Sequence, residues 1–128
     1  MKTLLDTCAL IALANGSLPS RSRKFIEGST DVFTSVVSFL EISLKHASGK
    51  LLLNLPPTEW HKRLIEHYKI QELPLTKAII TESSDLPRIH NDPFDRLLIA
   101  TARINKLAII TSDRQFSDYP GLEIIWKS

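Results

Sequence analysis

The sequence predicts an α/β protein: a mostly parallel, five-stranded sheet with helical layers on both faces, a three-layer αβα arrangement spanning residues 1–128 as one domain. Three observations predict it. Short runs of strand length alternate with longer segments of helical periodicity, the pattern of βα units. Several of the short runs are apolar throughout rather than alternating, as expected of strands buried on both sides. At 128 residues, with no linker and no internal repeat, the chain is long enough for one core and short for two.

The elements follow in order. Thr3-Leu4-Leu5 reads as a buried strand ending at Asp6. Cys8 to Ala14 is apolar and helix-compatible, and Asn15-Gly16 stops it. Pro19 to Glu27 is a second short helix, basic at Arg21, Arg23 and Lys24 and closed by Gly28. Val32-Phe33-Thr34 is the second strand. Ser38 opens a helix through about Ala47, ended by Ser48-Gly49-Lys50. Pro56-Pro57-Thr58 opens another to about His67, and Ile70 to Leu73 is the third strand. Thr76 to Ser84 is helical, and a loop through Leu86-Pro87-Arg88 leads to a helix from Asp92 to Lys106. Ala108 to Thr111 is the fourth strand, Arg114 to Ser117 a single turn, and Glu123 to Trp126 the fifth strand.

The 43% hydrophobic and 23% charged composition is that of a globular protein rather than a disordered or fibrous one. The formal net charge of +2 permits a nucleic-acid partner without requiring one. Cys8 is the single cysteine, which rules out an internal disulfide or a cysteine-built zinc site and makes a reducing cytoplasm the expected location. Asp6 interrupts the N-terminal apolar pair before a signal-peptide core forms. No apolar run reaches membrane-spanning length, so no membrane partner is expected.

The block His90-Asn91-Asp92-Pro93-Phe94-Asp95-Arg96 carries the most information. Helical spacing puts Asp95 on the same face as Leu98, Ile99 and Ala102, so a carboxylate lies on the side that should be buried. Buried charge is costly unless something compensates it. Ligands of an open parallel sheet bind at the carboxyl ends of its strands, and four acids map to that edge. Asp6 ends the first strand, Glu41 begins the helix after the second, Asp95 begins the helix before the fourth, and Asp113 follows the fourth. Asp92 is an accessory fifth.

Each acid also has a structural reading. Ser38-Phe39-Leu40-Glu41 has the form of a capping box. Asp92 suits an N-cap with Pro93 at the first helical position, and Asp95 is favoured there by the helix dipole. Asp6 suits the cap of the helix that follows it, and Asp113 the cap of the turn Arg114–Phe116. Convergence shifts the weight towards function. Two carboxylates about 5 Å apart repel by roughly 3 kcal/mol at an effective dielectric near 20. No lysine or arginine is placed by the sequence to neutralise all four. Hard oxygen ligands select Mg²⁺ or Mn²⁺, and such a site fits metal-assisted phosphodiester hydrolysis. Thr7, Thr111 and Ser112 are hydroxyl residues suited to bonding those acids from behind.

Leu5-Asp6-Thr7, Ser35 to Ile42, His90 to Ala100 and Thr111-Ser112-Asp113-Arg114-Gln115-Phe116 together resemble the motif set of PIN-domain ribonucleases, most closely the VapC-type toxins of bacterial toxin–antitoxin pairs. The Asp-Pro-Phe-Asp-Arg block before an apolar helix is the specific part, and the motifs run in order along nearly the whole chain. The resemblance implies a Mg²⁺-dependent endoribonuclease with its acidic quartet at Asp6, Glu41, Asp95 and Asp113. It also implies a homodimer and a cognate VapB-type antitoxin whose C-terminal segment occludes the site. Departures are Cys8, where related chains often carry histidine, and Phe39-Leu40 in place of Leu-Trp.

Other residues have blander expectations. Arg96 and Arg114 adjoin the acids and are the candidates for RNA phosphates, ahead of Lys45, Lys50 and Arg103. His90 is expected to be a plain loop residue, His46 solvent-facing, and His61 and His67 to lie on different helix faces. Trp60, Trp126, Phe25, Phe33 and Phe94 are assigned to the core. No Gly-x-Ser-x-Gly elbow or phosphate-cradling glycine loop is present. Two rivals stand beside the nuclease. A Mg²⁺-dependent phosphohydrolase would want an Asp-x-Asp at the first strand, where position 8 is Cys8; a catalytically silent binding module would not need the quartet.

Overall fold

The computed structural model describes residues 2–125. The strands are β1 (Thr3–Leu5), β2 (Val32–Ser35), β3 (Gln71–Leu73), β4 (Ala108–Ile110) and β5 (Ile124–Ile125). The helices are α1 (Thr7–Asn15), α2 (Ser20–Glu27), α3 (Val36–Ala47), α4 (Pro57–Tyr68), α5 (Lys77–Asp85) and α6 (Pro93–Asn105), with a 3₁₀ turn at Arg114–Asp118. Trp126, expected in the last strand, lies outside the described residues.

The five strands pair in the order β3-β2-β1-β4-β5, and every pairing is parallel. Successive strand residues face opposite sides, which divides the core. Leu5 and Ile110 pack with Leu10, Ile26, Ile42, Trp60 and Leu64 on one side. Leu4 and Ile109 pack with Ile79, Leu98, Ile99, Phe116 and Tyr119 on the other. Leu51, Leu53 and Leu55, more apolar than a loop requires, pack against the first cluster, while Leu52 is exposed.

The order also locates a crevice. From β1 the chain winds outward through β2 to β3, then crosses back through α5 and α6 to place β4 on the far side of β1. The winding direction reverses between β1 and β4, so their carboxyl ends flank the switch point where ligands of such sheets bind. Asp6 directly follows β1, and Asp113 lies three residues past β4.

One expected boundary is wrong. The helix after β2 does not start at Ser38: its cap is Ser35, whose hydroxyl accepts from the Val37 N–H at 3.0 Å. Glu41 is therefore in the second turn, and the Ser38–Glu41 capping box does not form. Ser35 competes for the cap because the strand delivers it with the extended backbone that a cap needs. Ser38 is fully buried inside the helix, with its hydroxyl 2.9 Å from that of Thr7.

Candidate functional site

Asp6 is 4% exposed and caps α1, with Oδ1 accepting from the Ala9 N–H at 2.7 Å. Its carboxyl also bonds to Thr111. Thr111 is buried, and its Oγ1 accepts from the Asp113 N–H at 3.0 Å, so one hydroxyl ties Asp6 to Asp113. Burial pushes the Asp6 carboxyl up to about 6, and the nearby charges of Asp113 and Glu41 add to the rise.

Asp95 is half-buried in the first turn of α6, below Leu98, Ile99 and Ala102, all of them fully buried. It too is pushed up to about 6, by burial first, then by Asp92; His90 opposes the rise in part, and Glu41 and Asp6 add smaller contributions to it. The carboxyl thus does lie on the costly face that its helical spacing implies. Asp92 is exposed and caps α6, its Oδ1 accepting from the Phe94 and Asp95 N–H groups at 2.8 and 3.4 Å.

The other two acids are partnered. Glu41 is 5% exposed, and its Oε2 meets Lys45 Nζ at 2.8 Å. Its Oε1 is buried and has no hydrogen-bond partner among the described residues. Asp113 caps the 3₁₀ turn, with Oδ1 accepting from the Gln115 N–H at 2.9 Å and Oδ2 lying 2.9 Å from His90 Nε2. Partial burial alone would raise Asp113, but the bonds from His90 and Gln115 hold it below the ordinary aspartate value. Ligand atoms of His90, Asp95 and Asp113 all lie within 4.8 Å of one another.

Two expectations about this site need correction. His90 is not a plain loop residue. It is 7% exposed, with its ring stacked on Tyr119 and edge-on to Phe116. Nothing in its spacing announces this, because its partners Asp113 and Tyr119 are 23 and 29 residues away. Lys45, expected only as a candidate for RNA phosphates, neutralises one of the four acids; the i,i+4 spacing from Glu41 is the signal for it in the sequence.

The arginine expectation also changes. Arg96 turns from the acids and donates to the carbonyls of Ser83, Leu86, Pro87 and His90 at 2.7, 3.0, 2.8 and 3.4 Å. The last turn of α5 and the following loop leave those carbonyls without helical partners, so the guanidinium fork is committed to them rather than to a phosphate. Arg103 is likewise engaged, with Glu82 at 3.1 Å and the Pro120 carbonyl at 2.6 Å. Arg114 is exposed beside Asp113. Thr7 bonds to Ser38 rather than to an acid, and Ser112 is exposed. His46 is half-buried against the Leu51 carbonyl at 3.3 Å rather than facing solvent, while His61 is buried and His67 exposed.

Comparison with known proteins bears on this arrangement. The family model described as PIN domain matches residues 3–122, almost the whole described chain. The chain belongs to the PIN-domain family. A curated PIN relative, Ribonuclease VapC22 of Mycobacterium tuberculosis (strain ATCC 25618 / H37Rv), is 25% identical over 104 residues, which is 79% of this chain and 78% of the relative. Among solved structures, the DNA-bound VapBC of Salmonella typhimurium superposes with a TM-score of 0.70 at 17% identity, covering 98% of this chain and 97% of that one. VapBC2 of Rickettsia felis, bound to a DNA fragment from its promoter, superposes at 0.73 and 14% identity, covering 99% and 100%. At those identities the structures speak to the fold, and they agree on a PIN α/β domain.

PIN nucleases generally use a divalent metal, and the residues of this edge suit one. The donors are carboxylate oxygens, two of them pushed up towards neutrality by burial and mutual repulsion, and Glu41 Oε1 is a buried acceptor in need of a partner.

Proposed function

We propose that this protein is a metal-dependent endoribonuclease that hydrolyses RNA phosphodiester bonds as the toxin of a toxin–antitoxin pair. The observation that carries the reading is the unequal compensation at the sheet edge. Lys45 pairs with Glu41 and His90 bonds to Asp113, but among the described residues no lysine or arginine offsets Asp6 or Asp95, and the same His90 lowers Asp95 only in part. A fold that keeps two costly carboxyls beside two more acids has a use for them. Family membership and the VapC22 relative, named a ribonuclease, support the same reading.

Asp6, Glu41, Asp95 and Asp113 would hold the cation, with Asp92 as the outer acid, and hard oxygen donors favour Mg²⁺ with Mn²⁺ as substitute. The chemistry a bound divalent cation supplies there is Lewis-acid stabilisation of charge on the scissile phosphate. The chain's own groups do the rest. Thr111 fixes the Asp6 carboxyl and the Asp113 backbone together. Glu41 Oε1, the acceptor without a protein partner among the described residues, orients the attacking water. Arg114 steers RNA phosphates, a role for which Arg96 is not free.

The solved VapBC structures contain antitoxin with toxin. By that likeness this chain is proposed to bind a VapB-type antitoxin and to form a homodimer. Among the described residues no helix is long and apolar enough to cross a membrane, and the proposed site of action is the cytoplasm.

The test is cleavage of a structured RNA by the purified chain. Cleavage that needs Mg²⁺ or Mn²⁺ and stops with EDTA is expected. Arg114→Ala should weaken RNA binding and flatten its salt dependence by about one unit of log–log slope. Cleavage unaffected by EDTA, or none with either metal, would refute the nuclease reading.

A further inference from the structure

The His90 ring is held at both nitrogens. Nδ1 lies 2.9 Å from Tyr119 Oη, and the same hydroxyl accepts from the His90 backbone N–H at 2.9 Å. Nε2 lies 2.9 Å from Asp113 Oδ2. For a neutral ring these bonds admit one consistent assignment of protons. A carboxylate only accepts, so the Nε2 atom carries a hydrogen and donates to Asp113. Nδ1 is then the acceptor, and the Tyr119 O–H donates to it. The tyrosine oxygen keeps its lone pairs for the His90 N–H. A ring nitrogen's tautomer is set by what the other nitrogen is bonded to.

Rigidity points the same way. Asp113 heads a short 3₁₀ turn with its side chain 39% exposed, so packing constrains its carboxylate little; the Gln115 N–H holds Oδ1 at 2.9 Å, and His90 holds Oδ2. The His90 side chain is 6% exposed, with Tyr119 against its face and Phe116 at its edge. Its backbone is pinned at both ends, at N–H by Tyr119 and at the carbonyl by Arg96. The buried ring therefore fixes the second oxygen of a carboxylate whose first is held by its own turn.

We infer that His90 is a positioning residue: locked as the Nε2–H tautomer by the Tyr119 hydroxyl, it orients the Asp113 carboxylate for a cation rather than ligating that cation itself. The inference rests on the proposed metal site. The proximity of His90 to Asp95 and Asp113 would also suit a nitrogen ligand, but both ring nitrogens already have partners. Ligation through Nε2 would require that atom to give up its proton and its bond to Asp113. The block that supplies Asp95 thus also supplies, five residues earlier, the strut for an acid beyond β4.

Two measurements on the full chain test this. Long-range ¹H–¹⁵N NMR of the metal-free protein should show His90 as the Nε2–H tautomer, and Tyr119→Phe should relax that preference while leaving the fold intact. The Nδ1–H tautomer in the wild type would overturn the inference whatever the protein's activity. Calorimetric titration with Mn²⁺ should show affinity falling about 10-fold or more in His90→Ala, the range for lost outer-shell partners of a metal ligand. His90→Gln, which keeps an N–H donor for Asp113, should recover part of that loss. Wild-type Mn²⁺ affinity in a folded His90→Ala would refute the positioning role alone. A wild type that binds no Mn²⁺ would instead sink the metal-site reading, with the tautomer still reporting on the strut.

Discussion

The acidic edge contains two pairs that the fold treats differently. Glu41 and Asp113 each have a partner, Lys45 for one and His90 for the other. Asp6 and Asp95 have hydrogen bonds or helix geometry but no lysine or arginine among the described residues placed to offset them; His90 lowers Asp95 only in part, and burial pushes both up to about 6. The partnered pair can be explained without function, as ion pairing and capping. For the unpartnered pair capping accounts for the position of Asp6 but not for its buried charge, and a stable apo protein would do better with neutral residues at both positions. That difference separates the part of this edge that holds the fold together from the part that costs stability.

Asp6→Asn should break the comparison most sharply. Asparagine keeps an oxygen for the Ala9 N–H, so the α1 cap survives. RNA cleavage should fall by more than about 100-fold, beyond the range seen for outer-shell partners. In EDTA the variant should be more stable than wild type, because the shift from 3.8 to about 6 corresponds to at most roughly 3 kcal/mol at neutral pH. Chemical denaturation and a cleavage assay read the two effects separately. A variant that loses stability in EDTA would show that the Asp6 charge is structural.

The second prediction concerns pH. A carboxyl whose folded value is raised contributes stability below its unfolded value near 4, and that contribution is lost as pH rises through about 6. Metal-free protein should therefore lose stability between pH 4 and 7 from Asp6 and Asp95. Mn²⁺ affinity should rise over the upper part of that window, since a cation competes with the same protons. Asp113 is shifted the other way, so its contribution is lost only in stronger acid. Mn²⁺ affinity flat between pH 5 and 7 would contradict the assignment.

Lys45→Met probes the partnered side, with the smallest expected effect. Because Lys45 is half-exposed, the pair should be worth about 1 kcal/mol or less in EDTA. Removing the ammonium also removes a competitor for Glu41, so Mn²⁺ binding should tighten a few-fold in calorimetry. Weaker binding would mean that Lys45 helps hold the site together.

Much of this edge is legible in the amino-acid order alone. The alternation of βα units, the buried faces of β1 and β4, the Asp92 cap and the awkward position of Asp95 all follow from local periodicity and capping chemistry. The helix start at Ser35 is not legible in that way. Ser38-x-x-Glu41 satisfies the capping-box pattern as well as the true cap does, and the end of β2 decides between them. Arg96 looks like a phosphate ligand because it adjoins two acids, yet the carbonyls that claim it lie up to 13 residues earlier in the chain.

By itself, then, the sequence determined which residues are acids at the carboxyl edge of a parallel sheet, because that depends on the order of elements and on short-range spacing. The Glu41–Lys45 pair is visible as an i,i+4 spacing, but only the tertiary structure decided the partners of Asp6 and Asp113 across the edge. Thr111 bridging Asp6 to Asp113, and His90 locked between Tyr119 and Asp113, join groups far apart in the chain. Compensation of a buried charge depends on distances of a few ångströms and on local dielectric, and sequence separation sets neither.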